Sequence, residues 1–235
     1  MDLLYILSGP VGRMSHVTRY SSIPVHRREN VAEHSWWVSF IAMLICDDLL
    51  NEGVEVFKGE VLQRAIVHDL DECISGDIIR SFKYRTESMR LAMHDASTEN
   101  MKEITSKMSK VGAGVYDHWH DAKDNTLEGD VVRFADMVTV VAYCREEYIS
   151  GNRHIARVLH EMYTTWFHEW HFHKKLGPYA DRLFPRRLYT DALEHYDPSP
   201  KGDQAKREGL NPIQGDASEG PTAVVDDWPM PSGVS

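Results

Sequence analysis

The sequence predicts an all-α fold for most of the chain. Three long segments carry apolar residues at the spacing of a helix face, and a glycine follows each within a few residues. These segments cover residues 30–51, 60–73 and 127–149. The third contains a β-branched run, Val138 to Val141, which by propensity favours a strand. Its length and the polar residues on either side instead favour a helix that is buried on most faces.

The first of these helices has the clearest start. Asn30 is a suitable N-cap, and Glu33 follows at the third helical position, as in a capping box. His34 shares a face with the apolar residues, so its imidazole points inward and needs a partner. Residues 112–126 combine glycines with many His and Asp residues, which predicts a loop or a frayed turn. Further helices are predicted at residues 1–7, 86–111, 152–175 and 178–195, with a helix or turn ending near Arg19.

The end of the chain differs in composition from the rest. Residues 197–235 contain six prolines and five glycines, with seven acidic residues against three basic ones. Large apolar residues are few there, so the segment cannot bury enough surface to fold by itself. We therefore predict one domain over residues 1–196 and a disordered acidic tail over residues 197–235.

The overall composition excludes several function classes. The net charge of −10 argues against a general nucleic-acid binder or membrane-surface binder, since both need a basic face. The three cysteines lie far apart without a C-x-x-C pair, which fits reduced thiols in a cytoplasmic protein. The sequence shows neither a signal peptide nor an apolar run of transmembrane length. We expect a cytoplasmic protein with no membrane and no nucleic-acid partner.

Four side chains occupy inward or crowded positions on the three long helices, namely His34, the adjacent pair His68 and Asp69, and Asp136. Crowded imidazoles and carboxylates lose solvation and repel one another unless a cation binds them. Two nitrogen and two oxygen ligands suit Mn²⁺, Co²⁺, Fe²⁺ or Zn²⁺ better than Ca²⁺. If the second helix continues past Asp69, Glu72 lies one turn beyond His68 and beside the same ligands.

Each of these residues also has a purely structural interpretation. An inward histidine is more often hydrogen-bonded in a core than bound to a metal, and a His-Asp dipeptide alone carries little information. The order of His, His-Asp and Asp on three apolar helices is what favours a metal site. Other histidines do not share this pattern: residues 168–173 are interpreted as part of a packed aromatic helix, and His118 and His120 as solvated.

The sequence resembles the HD-domain metal-dependent phosphohydrolases, above all the small 5′-deoxynucleotidases and the related phage dATP triphosphohydrolases. The resemblance implies the helical HD fold over about residues 1–175. It also implies a divalent metal held by the four residues named above, a catalytic role for Glu72, and support from Asp77. The matching residues are Arg19-Tyr20, Arg27, Glu29 to Ser35, His68-Asp69, Glu72, Ser75 to Asp77, Lys83-Tyr84 and Ala135 to Met137.

The resemblance also suggests substrate-binding residues. Arg19 matches the family's phosphate-binding arginine, and arginine binds phosphate in a bidentate manner. Tyr20 stands where the family commonly has tryptophan, so an aromatic ring is kept but its shape differs. Lys83 adds positive charge nearby, and Trp36 or Trp37 is a candidate for lining the base pocket.

The favoured hypothesis is a cytoplasmic phosphohydrolase, in a host cytoplasm if a phage encodes it, that cleaves the 5′-phosphoester of 2′-deoxynucleotides. The junction at residues 151–153 and the paired tryptophans favour a triphosphohydrolase that releases deoxynucleoside and triphosphate. Two alternatives stay open: a 5′-deoxynucleotidase acting on monophosphates, and a regulator that binds a nucleotide without turnover. The resemblance further implies a homo-oligomer, either a dimer or a hexamer.

Overall fold

The computed structural model describes residues 3–83, 85–170 and 173–179. Within these residues the regular structure is helical, and the β-type pairing is a single isolated antiparallel bridge between Thr18 and Asn30. The prediction of an all-α fold is therefore confirmed. In chain order, the α-helices are α1 (Leu3–Ser8), α2 (Val31–Asn51), α3 (Lys58–Val67), α4 (Glu72–Ser75), α5 (Arg80–Lys83), α6 (Glu87–Ser106), α7 (Gly112–His120), α8 (Leu127–Ile149) and α9 (Ala156–Trp170), with 3₁₀ turns at Val11–Ser15, Ser109–Val111 and Arg153–Ile155.

The centre of the bundle is formed by α2, α3 and α8, and α9 packs along α8. Val38 of α2, Ala65 of α3 and Val131 of α8 belong to one core and are fully buried. Burying a side chain of the size of valine contributes roughly 1.5–3 kcal/mol, so this core fixes the three helices relative to one another. Because the candidate metal ligands lie on or beside these helices, the same packing fixes the site.

The β-branched segment forms the long helix α8, as predicted. Thr126 caps its N-terminus by accepting a hydrogen bond from the backbone N–H of Gly129 at 3.2 Å. A Cβ on Gly129 would lie 2.4 Å from the carbonyl oxygen of Asp124, so only glycine fits there. Val138 and Val141 are buried. Tertiary burial therefore outweighs the strand propensity of these residues.

The capping box predicted at the start of α2 forms only in part. The side chain of Asn30 accepts a hydrogen bond from the backbone N–H of Glu33 at 2.9 Å, which confirms the N-cap. The carboxylate of Glu33 does not complete the box, because it pairs instead with Arg27 at 2.8 Å. The helix start is nevertheless well defined, and it places His34 on the first turn of α2.

The helix predicted over residues 60–73 is wrong at its end. The α-helix stops at Val67, and the chain makes a turn before the short helix α4 begins at Glu72. The carboxylate of Asp71, within this turn, accepts hydrogen bonds from Ser97 at 2.7 Å and from the indole of Trp119 at 3.0 Å. These tertiary bonds from α6 and α7 favour the turn over continued helix, so His68 and Glu72 do not share one helical surface.

The loop predicted at residues 112–126 is also wrong in its first half, where α7 runs over Gly112–His120. The glycines lower helix propensity, but packing against the rest of the bundle compensates. Trp119 and Tyr116 pack against a second core that contains Met101 and Ile104 of α6. Only the segment between α7 and α8 remains a loop.

Other predictions fall partly outside the described residues. The predicted helix 152–175 is seen as a 3₁₀ turn followed by α9. Most of the predicted helix 178–195, the boundary at residue 196 and the tail lie outside the described residues and stay predictions. Within the described part of the chain, every helix is too short or too polar to cross a lipid bilayer.

Candidate metal centre and active site

The packing of α2, α3 and α8 brings the four predicted ligands to one place. Nitrogen and oxygen atoms of His34, His68 and Asp136 all lie within 4.8 Å of one another. The Oδ2 atom of Asp69 lies 3.0 Å from Nε2 of His68 and 3.7 Å from Nε2 of His34. His34 comes from the start of α2, His68 and Asp69 from the turn after α3, and Asp136 from α8.

The hydrogen bond of His68 fixes its tautomer. Its Nδ1 lies 2.7 Å from the carbonyl oxygen of Ala65, which can only accept, so Nδ1 carries the hydrogen. In the neutral ring Nε2 then holds a lone pair. This Nε2 is buried and makes no hydrogen bond to any described residue, although Oδ2 of Asp69 is 3.0 Å away. A lone pair that faces a carboxylate is repulsive, and a cation between them removes the repulsion.

The second histidine has the same arrangement. The hydroxyl of Thr139 donates to the carbonyl oxygen of Asp136 at 2.7 Å, so its oxygen accepts from Nδ1 of His34 at 3.3 Å. Burial, together with the charge of Arg19, lowers the pKa of His34 to about 4. The ring is therefore neutral near pH 7, and its Nε2 lies within hydrogen-bonding distance of Oδ1 of Asp136, at 3.0 Å.

The Nε2 atoms of two imidazoles and the oxygens of two carboxylates thus converge on one point. The possible ligand atoms are two imidazole nitrogens and two carboxylate oxygens. The other nitrogen of each imidazole makes a hydrogen bond that orients the ring, as is usual for metal ligands. The fold itself fits a divalent metal at this point, with His34, His68, Asp69 and Asp136 as the ligands that would hold it.

Glu72 lies beside this cluster in an unusual state. Its Oε2 atom is buried and has no hydrogen-bond partner among the described residues. Burial, followed by the negative charges of Asp69 and Asp77, raises its pKa to about 9. A carboxyl group with a displaced pKa next to a metal-type cluster is a typical candidate for proton transfer.

Arg19 approaches the cluster from the segment between α1 and α2. Its Nη1 donates to Oε2 of Glu29 at 3.1 Å, and its side chain is 11% exposed. The Nε of Arg19 is buried and makes no hydrogen bond to a described residue. Its charge is close enough to lower the pKa of His34. Arg19 therefore has unused donors beside the cluster, which suits a phosphate group.

Asp77 and Tyr20 are placed as parts of the same turn. The backbone N–H of Tyr20 donates to Oδ2 of Asp77 at 3.1 Å. Tyr20 has a φ of 56°, a left-handed conformation that is uncommon outside glycine and often marks a functional turn. Its ring stacks on Tyr143 of α8, with centroids 4.8 Å apart. Asp77 thus holds the turn that carries Arg19, while the Tyr20 ring is largely occupied by Tyr143.

Two predicted substrate-binding residues stay apart from the cluster. Trp36 is 53% exposed and stacks on Phe40 at a centroid distance of 5.5 Å, on the outer surface of α2. Lys83 ends α5 and makes no ion pair with the four candidate ligands, all of which are described. The structure gives neither residue a contact with the metal-type cluster.

Lys123, in the loop between α7 and α8, is part of this cluster although the sequence did not predict it. Its Nζ is 2.6 Å from Oδ2 of Asp136 and 3.8 Å from Oδ1 of Asp69. No sequence signal identifies it, because a lysine in an Asp-rich polar stretch normally faces solvent. Its contact depends on how the loop is folded back onto α8.

A helical bundle that brings a histidine, a His-Asp pair and a distant aspartate together is the architecture of an HD-domain protein. The family model described as 5′-deoxynucleotidase YfbR-like matches residues 8–171, which is more than half of the chain. The chain therefore belongs to the YfbR-like 5′-deoxynucleotidase family.

Proteins with similar sequences include a human and a phage protein. The human 5′-deoxynucleotidase HDDC2 is 29% identical over 140 residues, which cover 58% of this chain and 64% of the human protein. The dATP triphosphohydrolase of Salmonella phage PMBT28 is 35% identical over 71 residues, which cover 28% of this chain and 37% of the phage protein. The chain thus spans less than two thirds of the length of these relatives.

Solved structures show the same fold. An HD-domain phosphohydrolase from Listeria innocua is similar with a TM-score of 0.69 and 21% identity, covering 88% of this chain and 98% of that one. The HD phosphohydrolase DatZ of cyanophage S-2L, solved with dA and one catalytic Zn²⁺ ion, has a TM-score of 0.57 and 17% identity, covering 76% of this chain and 94% of that one. At these identities the likeness concerns the fold alone.

Proposed function

We propose that this protein is a divalent-metal-dependent 5′-deoxynucleotidase. It hydrolyses the 5′-phosphate of 2′-deoxynucleoside monophosphates to deoxynucleoside and inorganic phosphate. The observation that carries the proposal is the convergence of two imidazoles and two carboxylates, with buried atoms on His68 and Glu72 that have no hydrogen-bond partner among the described residues. Membership of the YfbR-like family and the name of the human relative support the substrate class.

This proposal revises the preference for a triphosphohydrolase drawn from the sequence. The paired tryptophans lie on the outer surface of α2. At the junction of residues 151–153, the side chain of Asn152 donates hydrogen bonds to the carbonyl oxygen of Pro24 at 2.7 Å and to Glu147 at 2.8 Å. Arg153 next to it packs over the ring of Tyr148. Both features therefore have structural roles away from the cluster, and neither argues for a third phosphate.

The triphosphohydrolase stays as a second candidate on one specific observation. The phage dATP triphosphohydrolase has the higher identity to this chain, 35% against 29% for the human relative. Its match covers only 28% of the chain, whereas the human match covers 58%. The longer match favours the monophosphate as substrate.

The chain's own residues divide the work of hydrolysis. A divalent ion held by the four ligands supplies a Lewis acid and water activation near neutral pH. Arg19 has donors available for the phosphate oxygens, and the bond from Tyr20 to Asp77 orients that arginine. During hydrolysis the attacking water loses a proton and the 5′-oxygen gains one as the P–O bond breaks. Glu72 is placed to exchange that proton.

The test is a product assay on metal-stripped protein supplied with Mn²⁺, Co²⁺ or Zn²⁺. We expect inorganic phosphate from each dNMP, slower release from the matching ribonucleotide, and no tripolyphosphate from dATP. Tripolyphosphate from dATP without turnover of dNMPs would overturn the proposal in favour of the second candidate. Binding of a dNMP without turnover under any metal would instead identify a regulator.

A homo-oligomer and a cytoplasmic location are also part of the proposal. The structure describes a single chain, so the assembly is to be measured by light scattering coupled to size exclusion.

A further inference from the structure

The two carboxylates of the cluster share a common orientation. Asp69 turns Oδ2 toward both imidazoles, and Asp136 turns Oδ1 toward His34. The other oxygen of each carboxylate faces Lys123, with Oδ2 of Asp136 at 2.6 Å and Oδ1 of Asp69 at 3.8 Å from Nζ. Each carboxylate therefore has an inner oxygen on the side of the histidines and an outer oxygen on the side of the lysine.

The loop that carries Lys123 is firmly held. The guanidinium of Arg64, which is buried, donates to the carbonyl oxygen of Asp121 at 2.8 Å and pairs with Asp124 at 2.9 Å. Ala122, between these two anchors, is 3% exposed. Lys123 is thus bracketed by residues that the fold fixes, although its own side chain remains 37% exposed. Its contact with the carboxylates is part of the fold.

Lys123 already brings a positive charge to these two carboxylates, since its ammonium contacts Oδ2 of Asp136 and approaches Oδ1 of Asp69. A divalent ion bound through the inner oxygens and the ammonium at the outer oxygens would share the same two carboxylates and repel each other.

We propose that Lys123 is a tethered counter-cation of the metal site. It stabilises the carboxylate pair while no divalent ion is bound, and it lowers the affinity of the site for that ion. The opposite possibility is that Lys123 mainly orients the carboxylates for the metal, in which case its loss would weaken metal binding, typically by about 10–100-fold. The sign of the change in metal affinity therefore separates the two roles.

The experiment uses the full chain after removal of metal with EDTA. Lys123→Met removes the charge while keeping the length, and Lys123→Arg keeps the charge. Lys58→Met is a matched control, because Lys58 pairs with Asp47 at the same distance of 2.6 Å and is 33% exposed. For each protein, the Mn²⁺ dissociation constant is measured by calorimetry, and the melting temperature is measured in EDTA and in saturating Mn²⁺.

We expect Lys123→Met to bind Mn²⁺ about tenfold more tightly and to melt several degrees lower in EDTA. Its stabilisation by Mn²⁺ should exceed that of the wild type, whereas Lys123→Arg and Lys58→Met should keep the wild-type dissociation constant. Weaker binding by Lys123→Met, or unchanged affinity and melting temperature, would overturn the proposal. If Lys123→Met can be purified only with metal, Lys123→Gln provides the same comparison. No substrate is used, so the result is independent of the proposed function.

Discussion

Two acidic side chains of helix α8, Glu147 and Asp136, have different surroundings. Glu147, near its end, is 4% exposed and accepts hydrogen bonds from the backbone N–H groups of His26 and Arg27, each at 2.8 Å. Burial opposes ionisation, but these donors hold the pKa of Glu147 below its ordinary value. Asp136, three turns earlier, faces instead Nε2 of His34 and the ammonium of Lys123.

The difference separates a structural acid from a candidate functional one. The fold supplies every partner that Glu147 needs, and in return that carboxylate anchors the segment leading from Tyr20 to α2. Around Asp136 the fold instead gathers two imidazoles and a second carboxylate, and the buried Oε2 of Glu72 beside them has no partner among the described residues. The crowding of titratable groups with an unsatisfied atom, more than burial itself, therefore identifies the candidate reactive part of the helix.

The largest effect is expected from Asp136→Ala. Loss of this ligand should abolish metal binding and lower phosphate release from dNMPs by about 10³-fold or more. The fold should persist, because the side chain is partly exposed and belongs to the cluster rather than to the apolar core. Calorimetry with Mn²⁺ and circular dichroism check both statements. A variant that still binds the metal with wild-type affinity would show that Asp136 is not a ligand.

A smaller loss of activity should follow from Glu72→Ala, because this residue is not among the proposed ligands. We expect Mn²⁺ affinity within a few fold of wild type and turnover reduced by about 10²–10⁴-fold, the usual contribution of a proton-transfer group. Glu87→Ala, on the exposed start of α6, is the control and should be fully active. Full activity of Glu72→Ala would exclude the proposed role.

A change at Glu147, near the C-terminal end of α8, should affect stability rather than metal binding. Glu147→Gln places an amide N–H against donors that need an acceptor, which should cost about 2–3 kcal/mol of unfolding free energy. Metal affinity should stay unchanged, since Glu147 contacts the segment before α2 and not the cluster. Urea unfolding of this variant is compared with Glu146→Gln, whose side chain is exposed on the same helix. If Glu147→Gln also lost the metal, the C-terminal end of α8 and the metal-type cluster would not be independent.

The sequence predicted one of these two regions much better than the other. His34 and Asp136 lie on helices with apolar faces and His68 directly follows another, so helical spacing predicts that all three turn inward, and the family motif connects them. Lys123 and Glu147 could not be predicted in this way, because their partners come from loops whose position depends on the assembled bundle. Arg64 fixes the loop of Lys123 from 57 or more residues away.

The break in the helix after Val67 was missed for a similar reason. Local sequence favours a continuous helix through Cys73, and the bonds that stabilise the turn come from Ser97 and Trp119, far along the chain. The sequence left open which of Trp36 and Trp37 faces the base pocket, because adjacent tryptophans on a helix do not by themselves show which face is covered. Periodicity therefore predicted the residues that meet in the metal-type cluster, while tertiary hydrogen bonds determine the positions of the residues around them.

The smallest effect concerns the pH dependence of the metal-free protein. The pKa of Glu72 is about 9 in the fold against 4.5 ordinarily, so the folded state holds its proton more tightly than the unfolded state. Its contribution to stability is therefore complete below about pH 4.5 and is lost as the pH rises toward 9. Glu72→Gln cannot ionise and should escape this loss.

Melting curves in EDTA across this pH range provide the measurement. We expect Glu72→Gln to melt close to the wild type near pH 5. At pH 8 its free energy of unfolding should exceed that of the wild type by on the order of 2 kcal/mol. Saturating Mn²⁺ should reduce the difference, because a nearby cation favours the ionised carboxylate of the wild type. The same comparison with Glu147→Gln should run in the opposite direction, since a carboxylate with a lowered pKa stabilises the fold most at neutral and alkaline pH. If stability changed with pH in the same direction for both variants, Glu72 and Glu147 would not differ in how the fold satisfies their carboxyl groups.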